Sequence, residues 1–246
     1  MKIIGHKKIL NLLKKIIEKD GVSHAYLFVG PAGVGKYSVA RNFAEMLLGT
    51  KLSDDAEYIN SDLIIMEPEI EEIKGIRKKR EIKIEKIREL QHQLSLTSFG
   101  NYCRVAIINE AEYLNKSSQN ALLKTLEEPG EKLIVILITN DEKKLSTTLV
   151  SRCQKIKFGL VDLKEMEESI PAGAKDKKEI LLWSLGRPGL MRELAENKDE
   201  LNFRKDSLDE LKNLLNQNIT EKFILAERMS KDISLAVKKL DLWLVI

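Results

Sequence analysis

Cysteine is nearly missing: the 246 residues contain two, Cys103 and Cys153, with no C-x-x-C spacing. That excludes a disulfide framework and a cysteine-rich zinc site, and it fits a reducing cytoplasm. Long apolar runs are missing as well. None approaches the roughly 20 residues needed to span a bilayer, and the opening MKIIGHKKILNLLKK is amphipathic instead of signal-like, so no membrane partner is expected. An excess of one charge sign is also missing. The balance of 41 Lys and Arg against 38 Asp and Glu leaves +3, so any contact with nucleic acid must come from a local patch and not from bulk charge. His6, His24 and His92 are scattered without ligand spacing. With charged residues at 32% and hydrophobic ones at 43%, the composition is that of an ordinary globular protein, long enough for one large domain or two smaller ones.

Ile9, Leu12, Leu13, Ile16 and Ile17 recur at helical spacing between lysines, and Asp20-Gly21 ends that helix. AYLFV (25–29) then reads as a buried strand, followed by a glycine-rich turn and a helix marked by Val39, Phe43, Ala44 and Leu47. Further strands are expected at LIIM (63–66), VAII (105–108), LIVILIT (133–139) and KIKF (155–158), with helical patterns around Ile84–Leu94 and Ala121–Leu126. Short apolar strands alternating with helices predict an α/β fold with a mostly parallel sheet covered on both faces. The charged stretch Glu69 to Glu81 reads as a solvated loop or hairpin. After Gly159 only helices are expected, punctuated by Pro171, Gly173 and the turn Gly186 to Gly189. This divides the chain near residue 159, with a softer boundary near 206. The carboxyl end, LDLWLVI, stops on bulky apolar residues; either a partner buries it or the chain continues.

GPAGVGKY (Gly30 to Tyr37) fits the phosphate-loop pattern G-x-x-x-x-G-K and fails at the last position, where Ser or Thr normally stands. Gly30, Gly33 and Gly35 let backbone amides turn inward, the next helix adds its positive end, and Lys36 supplies a point charge. The missing hydroxyl would be a magnesium ligand. Tyr37 cannot replace it, and Ser38 is turned about 100° away along the helix. The strand VAII runs into Asn109-Glu110-Ala111-Glu112, where a phosphate-loop ATPase has Asp followed by Glu. Asn109 brings no charge to a metal, while Glu110 can still orient water. No independent ATPase activity is expected, no cofactor is required, and weak ATP or ADP binding stays open.

HAYLFVGPAGVGK (from His24), INEAEYLNKSSQNALLKTLEEP (108–129), Thr139-Asn140 and LVSRCQ (from Leu149) together resemble the bacterial clamp-loader members of the AAA+ family, in order along essentially the whole chain. The resemblance implies a P-loop AAA+ parallel-sheet domain (1–159), a helical lid (160–206) and the start of a helical collar (207–246) that assembles a ring. It implies tau/gamma and delta subunits as partners, action on the sliding clamp through the assembled loader, and primer–template DNA as a further candidate contact through Lys116 and Lys124. Many relatives carry a four-cysteine zinc insertion; Gly49 to Asp62 contains no cysteine, so zinc is not expected. Ser151-Arg152-Cys153 resembles the family's S-R-C motif, whose arginine enters the adjacent subunit's nucleotide site. Asn140 resembles sensor 1. The lid motif G-S-x-R, whose arginine is sensor 2, is replaced by Gly186-Arg187-Pro188-Gly189, with Arg187 and Arg192 off register. Cys153 is read as a small buried residue and not a nucleophile. The expected function is a non-hydrolysing ring member donating Arg152 in support of replication. The alternatives are a loader motor or other P-loop ATPase, kept alive by Gly30, Gly35, Lys36 and Glu110, and a scaffold that holds ATP without splitting it.

Overall fold

The computed structural model describes residues 3–51, 62–73, 76–95, 103–129, 132–170, 173 and 176–244. In chain order the elements are α1 (Lys7–Glu18), β1 (Ala25–Val29), α2 (Lys36–Leu48), β2 (Leu63–Met66), β3 (Ile70–Ile73), β4 (Ile76–Lys79), α3 (Ile84–Ser95), β5 (Arg104–Ile108), α4 (Lys116–Glu127), β6 (Leu133–Thr139), α5 (Thr147–Ser151) and β7 (Gln154–Lys157). They are followed by α6 (Leu163–Glu167), α7 (Lys177–Ser184), α8 (Pro188–Glu196), α9 (Lys198–Asn216), α10 (Ile219–Lys231) and α11 (Ile233–Trp243).

Five strands form one sheet in the order β2-β5-β6-β1-β7, every pairing parallel. Alternation along each strand builds two cores. Tyr26, Phe28, Val105, Ile107, Ile134 and Ile136 face α1 and α2, while Leu27, Ala106, Ile108, Val135 and Leu137 face α3, α4 and α5. The apolar strand runs of the sequence are thus explained by burial on both faces. β1 lies between β6 and β7 although the chain next crosses to β2 at the far edge, so a crevice opens at the carboxyl ends of β1 and β6. That is where open parallel sheets place ligands.

The expected strands all form, the last beginning one residue earlier than KIKF. Phe158 lies just past it, its N–H donating to Val29 O (2.7 Å) and its ring packed on Phe28 and His6. The charged stretch takes the hairpin option, with β3 and β4 antiparallel. Gly75 and Pro171 lie outside the described residues, as does most of the cysteine-free segment Gly49 to Asp62.

Among the described residues no strand follows β7. The helices there share a third core of Val161, Met166, Ile180, Trp183, Met191, Leu194, Leu201 and Leu242, joined by Ile4 from the amino terminus. The softer boundary expected near residue 206 falls inside α9, which runs through it unbroken for 19 residues. α11 folds back along α9. Trp243 Nε1 donates to Ser207 O (2.8 Å), and Lys238 bonds the buried Glu200 carboxylate (2.6 Å), which also takes Arg204 (2.9 Å). Of the apolar end, Leu242 is buried and Leu244 is exposed; the last two residues lie outside the described ones.

Candidate nucleotide-loop and arginine site

The loop between β1 and α2 holds Gly33 at φ 76° and Gly35 at φ 102°, left-handed backbone that favours glycine. Gly30 is demanded by packing instead. A Cβ there would stand 2.3 Å from the carbonyl oxygen of Phe158, a backbone atom. Gly189, at the position that the resemblance gives to sensor 2, lies directly on the loop: its N–H donates to Gly33 O (2.8 Å), and a Cβ would stand 3.0 Å from that oxygen. Any side chain at 189 would press α8 and the loop apart by a few tenths of an ångström. On the other side His6 Nε2 donates to Val34 O (2.8 Å).

Lys36 is 5% exposed, and its ammonium donates to Gly30 O (2.6 Å), Pro31 O (2.7 Å) and Asn140 Oδ1 (2.8 Å). Asn140 in turn donates through Nδ2 to Glu112 Oε1 (2.7 Å) and through its backbone N–H to Glu112 Oε2 (3.3 Å). Burial lowers the Lys36 pKa to about 8, opposed by the charges of Glu112 and then Glu110. A phosphate entering this loop has to replace three existing bonds to the lysine.

The folded Lys36 sheds its proton from about pH 8, whereas an unfolded chain keeps it up to its ordinary value of 10.5. Between those values the unfolded state binds more protons, so Lys36 makes stability rise with pH across that window. Urea unfolding of the native chain and of Lys36→Met, measured from pH 7.5 to about 10.5, is expected to give a native-minus-variant difference that climbs with pH. Parallel profiles would contradict the burial of this charge.

The residues around the loop do not fit the magnesium ion that the resemblance implies. Tyr37 packs against the core under α1 and α2, and Asn109 is neutral. Glu110, in left-handed backbone at φ 54°, is paired with Lys79 of the hairpin (2.5 Å). Among the described residues no group of three or more His, Cys, Asp and Glu side chains could hold a metal. The amide-lined turn and α2's positive end remain suited to an anion.

Arg152 follows α5 at the surface. Its Nη2 donates to Glu127 Oε1 (2.6 Å) and its Nη1 to Thr148 O (3.0 Å), with the two side chains of the pair 33% and 49% exposed. Ser151 Oγ donates to the same Thr148 carbonyl (3.0 Å). Cys153 gives its S–H to Leu149 O (3.4 Å), and burial pushes its thiol up to about 12, which keeps it protonated at neutral pH. Lys116 and Lys124 are exposed on α4.

The segment QNALLKTLEEP has a structural reason at both ends. Buried Gln119 accepts from Ser146 N–H (2.7 Å), the residue that caps α5, and donates to Leu114 O (2.9 Å) and Lys144 O (3.1 Å). Eight residues on, the same helix presents Glu127 to Arg152. The loop pattern singled out Lys36 and the resemblance Asn140, while Glu112, Lys79 and Glu127 were missed; their partners lie 28, 31 and 25 residues away, beyond any local spacing rule.

Residues 5–162 match the family described as DNA polymerase III, delta subunit. The chain belongs to that family. It is 32% identical over 176 residues to DNA polymerase III subunit delta' of Bacillus subtilis, covering 66% of this chain and 50% of that relative. It is 36% identical over 170 residues to subunit tau/gamma of Haemophilus influenzae, covering 68% of this chain and 24% of that one. The chain therefore spans half or less of the length of these two relatives. Its fold is similar to the Thermotoga maritima RuvB Holliday junction branch migration motor, with a TM-score of 0.54 at 21% identity over 85% of this chain and 64% of that structure. The expected α/β fold of the AAA+ P-loop kind, a five-stranded parallel sheet followed by helices, is borne out. No helix among the described residues is long and apolar enough to cross a membrane.

Proposed function

We propose that this member of the DNA polymerase III, delta subunit family works as a delta-prime-like clamp-loader subunit. In this reading it does not hydrolyse ATP itself, and it supplies Arg152 to the ATP site of a neighbouring tau/gamma-type subunit in the cytoplasm. Identity alone does not separate delta-prime from tau/gamma, since both kinds of relative match to similar degrees. The supporting observation is the contrast between two sites: Tyr37 packed on the core, neutral Asn109 and a salt-bridged Glu110 at the loop, against a half-buried Arg152 held by one carboxylate and one carbonyl. A guanidinium beside a γ-phosphate stabilises the charge that develops during transfer.

Residues 1–159 then form the AAA+ domain, 160–206 the lid and 207–246 the start of a collar, with α9 as the rod joining the last two. Delta-type subunits complete the ring, the sliding clamp is met through the assembled loader, and Lys116 and Lys124 face template phosphates. Mixing the chain with tau/gamma-type and delta-type subunits and weighing the product tests this. A stable hetero-oligomer containing this chain is the expected result, and failure to join any such complex would defeat the reading. A second reading, a scaffold that holds nucleotide without splitting it, is favoured by the left-handed Gly33 and Gly35 beside Lys36. ATP titration of the chain with and without magnesium separates this reading from an empty loop.

A further inference from the structure

The Arg152 side chain carries five N–H donors. Among the described residues two are committed, Nη1 to the carbonyl of Thr148 and Nη2 to a single oxygen of Glu127. These bonds differ in kind. The carbonyl belongs to the helix that ends at Arg152 and leaves the positive charge intact. The carboxylate comes from α4 and cancels the charge. An arginine acting on a phosphate in another subunit needs that charge uncompensated, so the two partners cannot both persist in the working state.

We propose that Glu127 is a positioning residue that parks Arg152 until a nucleotide in the neighbouring subunit takes its place. Nη1 stays on Thr148 O as the pivot, and Nη2 exchanges the Glu127 carboxylate for a phosphate oxygen. The pairing suits an exchange: it is monodentate where arginine and carboxylate can pair through two parallel bonds, and both side chains are partly in water. The lid and the phosphate loop are not needed for the step, which involves only α4 and α5. This inference rests on Arg152 acting in the neighbouring site.

The parked pair competes with nucleotide before binding and is already broken once nucleotide is bound. Removing the Glu127 charge should therefore tighten ATP use without changing the saturated rate. In the reconstituted loader, Glu127→Gln is expected to lower the ATP concentration for half-maximal turnover by about 2- to 5-fold, the range of exposed ion pairs, with kcat unchanged. The difference from native should shrink as salt is raised. Glu128→Gln, one residue along, serves as the control and should match native. The double variant Glu127→Gln/Arg152→Ala should behave as Arg152→Ala alone. An unchanged half-maximal concentration, or a fall in kcat, would overturn the parking role even where Arg152→Ala lowers turnover. If Arg152→Ala itself leaves turnover untouched, the arginine reading fails and the parking role falls with it.

Discussion

Replacing Arg152 by alanine is expected to cut ATP turnover at the neighbouring site by about 10³-fold or more, the scale on which arginine fingers act. The steady-state rate of the whole loader falls by the share that site contributes. Stability should barely change. The side chain's bonds are one half-exposed ion pair and one bond to a carbonyl, and such a pair is worth about 0–1 kcal/mol. For a chain of this size that is a shift of at most about 4 °C in Tm. A large loss of turnover with an intact melting curve and intact assembly is the signature of a group exported to another protein. Arg152→Lys keeps the charge and loses the planar fork, so it should recover only part of the activity.

Gly30→Ala is expected to do the reverse, damaging the fold without touching a reacting atom. Its Cβ would stand 2.3 Å from Phe158 O and 2.9 Å from Phe158 Cβ, distances that cannot persist. The end of β7 must withdraw, which strains the Phe158 N–H to Val29 O bond and the packing of the Phe158 ring, 4% exposed, on Phe28 and His6. Overpacking of this kind costs about 1–3 kcal/mol, and the backbone clash puts Gly30→Ala at the upper end. Thermal melting should show a fall of about 6–12 °C. An unchanged Tm would mean that β7 does not hold Phe158 against the loop. The consequence for function is direct. Gly30 has a reason to be glycine that involves no nucleotide, and the contact of Gly189 with Gly33 ties a second loop glycine to α8. A Gly30 held as glycine by packing is compatible with a loop that does not work as an enzyme.

Much of this was legible because it is local. The alternation that sends Phe28 to one core and Leu27 to the other, the left-handed glycines before Lys36, and the neutral Asn109 at a strand end are all written within a few residues. Resemblance located Arg152, but neither spacing nor resemblance could say what holds it. The contacts that set the site's electrostatics join distant segments: Lys79 with Glu110, Glu112 with Asn140, Glu127 with Arg152. Each is one charge among many on a chain that is 32% charged, and composition cannot say which of them meet. Ile4 escaped notice for a related reason. Its place in the third core, among the helices after β7, depends on the tertiary path of the amino terminus and not on any periodic pattern.

The most direct test of the central claim sets the two sites against each other within one complex. Loader is assembled with the native chain, with Lys36→Met and with Arg152→Ala, and DNA-stimulated ATP hydrolysis is measured for each at matched complex concentration. With the cation of its own loop removed, the loader should hydrolyse ATP at the native rate, while loss of Arg152 should depress it. The opposite pattern, turnover lost with Lys36 and retained without Arg152, would show that this subunit burns ATP in its own loop and would contradict the account.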